Sequence, residues 1–346
     1  MRPIQSLKRL CAAGIALLGC SAALAAITEP LSINWYHDQP FLQPVIDAFT
    51  AETGIPVKVT SDYDTFNTDV IFVSDYKGLT EAKNFGHLRK LDPAFAAEMA
   101  KVVPAEWRDD EGCWLGVVLR IRTAVVNDEL VRKEDRPKQL LDLADPKWQG
   151  KMTIRSAANV YNRSLVAYMI YRYGEAEAVR WVQGIVRNFG TGHPYLGDTG
   201  NARAVAKGDF AISFMNTYYL GYLQARRTDP PELLKALRDD LDVVWLDGGK
   251  YGLPVNVTGV GISSHIEDEK RLQEAQKLVA FLLSKKGQAL MSEHVFKYPV
   301  RQDVPPSEAL RRLGTFRMDK IDLNQLRYLY DDADRIMAKA GWRTDR

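Results

Sequence analysis

Trp114-Leu-Gly-Val-Val-Leu-Arg-Ile-Arg-Thr-Ala-Val-Val126 reads as one long β run. A run of that length suits a strand passing from one lobe of a molecule into another. From Asn127 onward the β/α pattern starts afresh, so the chain is organised about this crossing. Arg120 and Arg122 lie inside it, two residues apart and therefore on one face. Two readings stay open here: a solvated edge face, or a site for an anion.

Ahead of the crossing, Leu31–Tyr36 alternates as a first strand. A helix is expected from Asp38 and Pro40, with Phe41, Val45, Ile46 and Phe49 on one face and Gly54 at its end. Pro56–Thr60 and Asp69–Val73 read as further strands, and a β-α-β order predicts a parallel sheet. The link Ser61–Thr68 is shorter than the dozen or so residues a helical crossover needs, so one crossover is stripped down or missing.

Past the crossing, Asp145–Lys151 is a turn before the strand Met152–Arg155. Ser156 and Asn159 are expected to cap a helix carrying Tyr161, Leu165, Val166 and Met169, and such a helix start favours an anion. Gly174 breaks that helix, and Glu175–Asn188 forms another. Gly190–Gly200 reads as a loop and Ala202–Lys207 as a short helix. Phe210–Phe214 alternates as a half-buried strand, Asn216 and Thr217 are N-cap types, and Tyr218 and Tyr219 open a helix. Two phenols at a strand-to-helix turn sit where open α/β sheets bind ligands. The blander alternative is packing, since tyrosine is commonly half-buried. Asp242–Leu246 and Val255–Ser263 read as strands, the second a return crossing. Glu267–Lys285, Gly287–His294 and Ile321–Ala340 are predicted helices.

The N-terminus speaks to the compartment. Met1–Leu10 carries Arg2, Lys8 and Arg9 and no acid, and Cys11–Ala26 is wholly apolar or small, ending in Ala23-Leu24-Ala25. That is a secretory signal peptide over residues 1–25, too short to span a bilayer. A rival is lipid anchoring at Cys20 through Leu17-Leu18-Gly19-Cys20. Cleavage removes the three basic residues, so a formal charge of +2 becomes −1. No basic field remains to attract nucleic acid or an anionic membrane. Cys113 is then the single cysteine, which leaves no internal disulfide. The remaining length makes roughly two domains.

Enzyme motifs are scarce. There is no Gly-x-Ser-x-Gly, Walker loop or His-Glu-x-x-His, and no nucleophile–base pairing, so no catalysis is expected. His37, His87, His193, His265 and His294 are scattered without zinc spacing. His37 lies just past the first strand. Asp75 follows the third and points to the same sheet edge, unless it only caps the next helix.

Several segments together resemble one family. They are Ala48–Ile55, Leu119–Asn127, Leu143–Lys151, Arg155-Ser-Ala-Ala-Asn-Val-Tyr-Asn-Arg-Ser-Leu-Val-Ala167, Asn216-Thr-Tyr-Tyr219, Val255–Gly261 and Tyr298–Val300. In this order they look like the periplasmic ferric-ion-binding proteins of ABC iron importers, in their tyrosine-rich branch. The resemblance implies an α/β, two-lobed type II periplasmic binding protein fold with the ligand cleft between lobes. Lobe 1 would take residues 26–122 and 256–304, and lobe 2 residues 123–255 and 305–346. It implies iron(III) held by Tyr161, Tyr218 and Tyr219, hard oxygen donors for a hard cation. It also implies a synergistic anion, such as carbonate or phosphate, on Arg120, Ser156, Ala157, Ala158 and Asn216. The family's first-lobe ligands fall on or near His37, Asp38 and Asp75, a departure from its pattern. The implied protein is a periplasmic monomer, binds no nucleic acid and delivers to an inner-membrane ABC permease. Two alternatives are a binder of a phosphate-bearing organic anion and a sensor subunit docking on a membrane histidine kinase.

Overall fold

The computed structural model describes residues 29–35, 39–60, 66–190 and 193–344. The expected leader with Cys20, and His37 and Asp38, lie outside the described residues.

β1 (Leu31–Asn34), α1 (Gln39–Thr53), β2 (Val57–Thr60), β3 (Val70–Val73), α2 (Tyr76–Asn84) and α3 (Pro93–Met99) precede the long strand β4 (Trp114–Asn127). β5 (Met152–Thr153), α4 (Val160–Tyr173), α5 (Glu175–Phe189), α6 (Asp198–Ala206), β6 (Ile212–Asn216), α7 (Tyr218–Arg226), α8 (Pro231–Asp239) and β7 (Leu241–Val244) come next. β8 (Val255–Ile262), α9 (Glu269–Leu282), α10 (Lys285–Val295), β9 (Tyr298–Pro299), α11 (Glu308–Arg312) and α12 (Tyr330–Lys339) complete the order.

β1 pairs in parallel with both β2 and β3, as the β-α-β order predicts. α1 buries Leu42, Val45, Ile46 and Phe49, a spacing of three and four residues that lines one helix face. Fully burying a phenylalanine such as Phe49 contributes about 1.5–3 kcal/mol.

β4 is buried along its whole length. Trp114–Ile121 pairs with β8, which returns antiparallel to β3, while Arg122–Val126 pairs with β6 and Ala124–Asn127 with β7. Hydrogen bonding is thus continuous through β4, but its two halves serve two groups of strands. Arg120 and Arg122 are buried, at 2% and 5% exposure, so the solvated-edge reading is excluded. Strands flank β4 on both edges there, and the guanidinium groups meet buried carboxylates instead of water.

Three local expectations need correction. α6 begins at Asp198, inside the stretch expected to be loop, because Asp198 turns inward to Arg122. Thr217 makes no side-chain cap; its N–H and hydroxyl both donate to Ile121 O, at 3.1 and 3.5 Å, which ties the start of α7 to β4. Ile321–Ala340 is not one helix: a 3-10 segment over Leu323–Tyr328 is capped by Asp322, and Leu329 separates it from α12.

α12 packs on α4 and α5, and just beyond it Trp342 donates its indole N–H to Arg155 O at 3.0 Å. The end of the chain therefore braces the β5–α4 turn. No helix among the described residues is long and apolar enough to cross a membrane.

Candidate functional site

Tyr161 stands in the first turn of α4, where Asn159 caps the helix by accepting from the Tyr161 N–H at 3.2 Å. The second asparagine of the Asn-Val-Tyr-Asn stretch has a different task. Asn162 donates to Arg155 O and Ser156 O, at 2.9 and 3.0 Å, and accepts from Arg122 Nη2 at 3.2 Å. The turn that presents Tyr161 is thus fastened to the crossing strand.

Tyr218 and Tyr219 open α7, a helix that starts where β6 leaves the sheet. Tyr218 Oη donates to Tyr161 Oη at 3.4 Å, and the Tyr218 and Tyr219 ring centroids are 4.4 Å apart. Three phenols from two distant segments therefore meet, all of them buried. Burial pushes the Tyr218 and Tyr219 phenols upward; Arg120 opposes this at Tyr218 and Arg155 at Tyr219.

Basic side chains surround the phenols. The Arg120 guanidinium lies 3.9 Å from the Tyr161 ring centroid and that of Arg155 5.7 Å. Lys297, fully buried, stands 5.0 Å from the Tyr218 ring and 4.9 Å from that of Trp35, with Thr258 Oγ1 3.4 Å away. Burial, reinforced by Arg120, pulls its pKa well down. Arg122 is balanced by Asp198, 3.3 Å away, and Asn216 donates to the same carboxylate at 3.4 Å from both its N–H and its side chain.

Asp75 is occupied within the protein. One carboxylate oxygen accepts from the Lys77 N–H at 2.8 Å and caps α2; the other accepts from Asn256 Nδ2 at 2.7 Å. Both accept from Ser164 Oγ, at 3.0 and 3.1 Å, and Arg120 Nη1 is 3.7 Å away. Ser164 is one turn beyond Tyr161 on α4. Burial raises the Asp75 carboxyl to about 6 in spite of Arg120.

Of the residues expected to hold an anion, Arg120 and Asn216 line one small cavity of about 40 Å³ together with Arg122, Tyr161, Ser164 and Asn256. Ser156 and Ala157 are buried beside it in sequence and Ala158 is exposed. The Ala157 N–H already donates to Arg343 O at 2.8 Å. Among the described residues no group of three His, Cys, Asp or Glu could hold a metal, which leaves the phenols as the clustered hard donors.

Arg155 and Lys297 were not picked out by sequence reasoning. Arg155 opens the very stretch that carries Tyr161, so its place before the capped helix was the available signal. Lys297 offers only the oddity of a lysine between Phe296 and Tyr298.

A family model described as bacterial extracellular solute-binding protein matches residues 67–320. The chain is 32% identical over 329 residues to iron uptake protein A1 of a Synechocystis species, covering 91% of this chain and 88% of that protein. Among solved structures it is similar to a Trichodesmium protein in complex with iron and citrate, with a TM-score of 0.79, 29% identity, 91% of this chain and 100% of that one. It is also similar to ferric iron-binding protein A of Mannheimia haemolytica in an open conformation, with a TM-score of 0.80, 26% identity, and 91% and 99% covered.

Proposed function

The chain belongs to the bacterial extracellular solute-binding proteins, and we propose from that premise that it captures ferric iron in the periplasm and hands it to an inner-membrane ABC permease, without catalysing a reaction. In this reading it is a two-lobed binding protein of the type II fold. Its cargo sits between the lobes, beside the crossing of β4.

Tyr161, Tyr218 and Tyr219 bind the ion as phenolates. Each loses its proton as its oxygen takes a coordination position, since the charge of the metal lowers the phenol's pKa from its ordinary ~10. Three phenolates neutralise a trivalent ion. A synergistic anion then finds positive charge in Arg120 and Arg155. At the α4 turn it competes with Arg343 O for the Ala157 N–H.

The observation that carries this reading is the meeting of Tyr161 and Tyr218, hydroxyl to hydroxyl, beside the buried guanidinium of Arg120. The small volume beside them supports an ion with a small anion over a phosphate-bearing organic molecule. The test is a titration of the purified protein with ferric salt. Phenolate-to-iron charge transfer gives a visible red band; a protein that stays colourless overturns the proposal.

A further inference from the structure

α7 carries one more phenol on the same face. Tyr222 follows Tyr218 by four residues and Tyr219 by three, the spacing at which helical side chains lie over one another. Its ring centroid is 5.3 Å from that of Tyr218 and 5.9 Å from that of Tyr219. Phe41 of α1 stacks on it at 4.6 Å, with an interplanar angle of 8°, and Phe296 meets it edge-on at 6.0 Å.

Gly221 makes that enclosure possible. A Cβ there would come within 2.4 Å of the Phe296 ring, so only glycine lets Phe296 close over α7. Tyr222 is 1% exposed, and its hydroxyl is fully buried without a hydrogen-bond partner among the described residues. A tyrosine buried in this way usually finds a partner for its O–H, and leaving a buried hydroxyl unsatisfied costs about 1–3 kcal/mol. A phenylalanine would fill the same aromatic niche without that cost. The oxygen therefore has room for a partner that the described residues do not supply.

The surroundings say what kind of partner. Burial, Tyr219 and Tyr161 all oppose a negative charge on Tyr222, and Arg120 favours one, so a bound cation is what would ionise it. A trivalent ion on the Tyr218 and Tyr219 oxygens would supply that charge beside the Tyr222 ring, which packs on both of theirs. We propose that Tyr222 is a fourth oxygen donor of the cargo site and binds the ferric ion directly alongside Tyr161, Tyr218 and Tyr219. Its O–H proton passes to solvent, and its oxygen replaces a water on the metal.

This inference rests on the ferric reading above, and the experiment separates the two. Parent and Tyr222→Phe are titrated with ferric ion, following the visible band, the ultraviolet difference spectrum of ionised phenols, proton release and affinity. The expected result is one phenol fewer ionised and one proton fewer released per ion in Tyr222→Phe. Its visible band should be shifted, and its affinity should fall by at least about tenfold, the lower end of the loss seen even for groups one step removed from a metal. Equal phenol count, proton release and affinity in the two proteins overturn the assignment of Tyr222 alone. Should Tyr222→Phe fold poorly, the parent decides: ionising three phenols or fewer overturns the assignment. A parent that gives no visible band overturns both readings.

Discussion

Ser164 Oγ donates to both carboxylate oxygens of Asp75, at 3.0 and 3.1 Å, between residues 89 positions apart in the chain. Asp75 stands at the end of β3 and Ser164 on α4, so the pair joins the first group of strands to the helix that presents Tyr161. Asn256 and Arg120, facing each other on β8 and β4, complete the surroundings of the carboxylate.

That burial has a pH signature. The Asp75 carboxyl lies at about 6 in the folded protein against 3.8 as its ordinary value, with Ser164, Asn256, Lys77 and Arg120 around it and Tyr330 nearby. The folded state thus holds the proton more tightly than the unfolded one. Its stabilising contribution is complete below about pH 4 and is lost as the pH rises through about 6. Asp75→Asn, neutral throughout, escapes that loss. Between about pH 4 and pH 7 the stability of the ligand-free parent should fall relative to the variant by roughly 2 kcal/mol. Urea unfolding at both pH values measures it, and a parent-to-variant difference that does not change with pH contradicts the expectation.

Tyr161→Phe, Tyr218→Phe and Tyr219→Phe should each weaken ferric binding and fade the visible band while leaving the fold intact. Phenylalanine keeps the buried ring and removes only the oxygen, and the Tyr161–Tyr218 hydroxyl contact contributes about 1 kcal/mol at most. Thermal melts and ferric titrations check this. Three variants that bind like the parent mark the phenols as packing groups.

Arg120→Ala should lower ferric affinity and make it less sensitive to which anion is supplied. A guanidinium matches carbonate or phosphate oxygens in a fork. The same change removes the cation from the Tyr161 ring face and the counter-charge from Asp75. Affinity measured with and without added carbonate tests it; unaltered dependence on carbonate argues that the anion sits elsewhere.

We propose a division into residues 26–122 with 256–304 and residues 123–255 with 305–346, and a hinge where β4 and β8 cross between them. Closure on the cargo should then shrink the molecule. Small-angle scattering with and without ferric ion should show a smaller radius of gyration in the loaded protein. Equal radii in both states count against a closing hinge.

Much of the architecture was legible along the chain. The length of β4, the parallel start through β1, β2 and β3, and the capped opening of α4 are local properties, set by periodicity and by which side chains fit a helix start. Tyr218 and Tyr219 stood out at a strand-to-helix turn, and Tyr161 through the resemblance carried by its Asn-Val-Tyr-Asn stretch. The same local logic misjudged Asp198 and Leu329. The Arg122 partner that draws Asp198 inward is 76 residues away, and the break at Leu329 follows a 3-10 turn that periodicity reads as helix.

The sequence by itself determined which residues could act: phenols, guanidinium groups and a carboxylate. Only the tertiary structure decided what each one faces. It turned Asp75 towards Ser164, set Lys297 over the Tyr218 ring and packed the Tyr222 ring against Phe41 and Phe296. The physical reason is that burial and partnership arise between segments far apart in the chain, where no spacing rule reaches. A hydroxyl's lack of a partner, above all, is a property of everything packed around it.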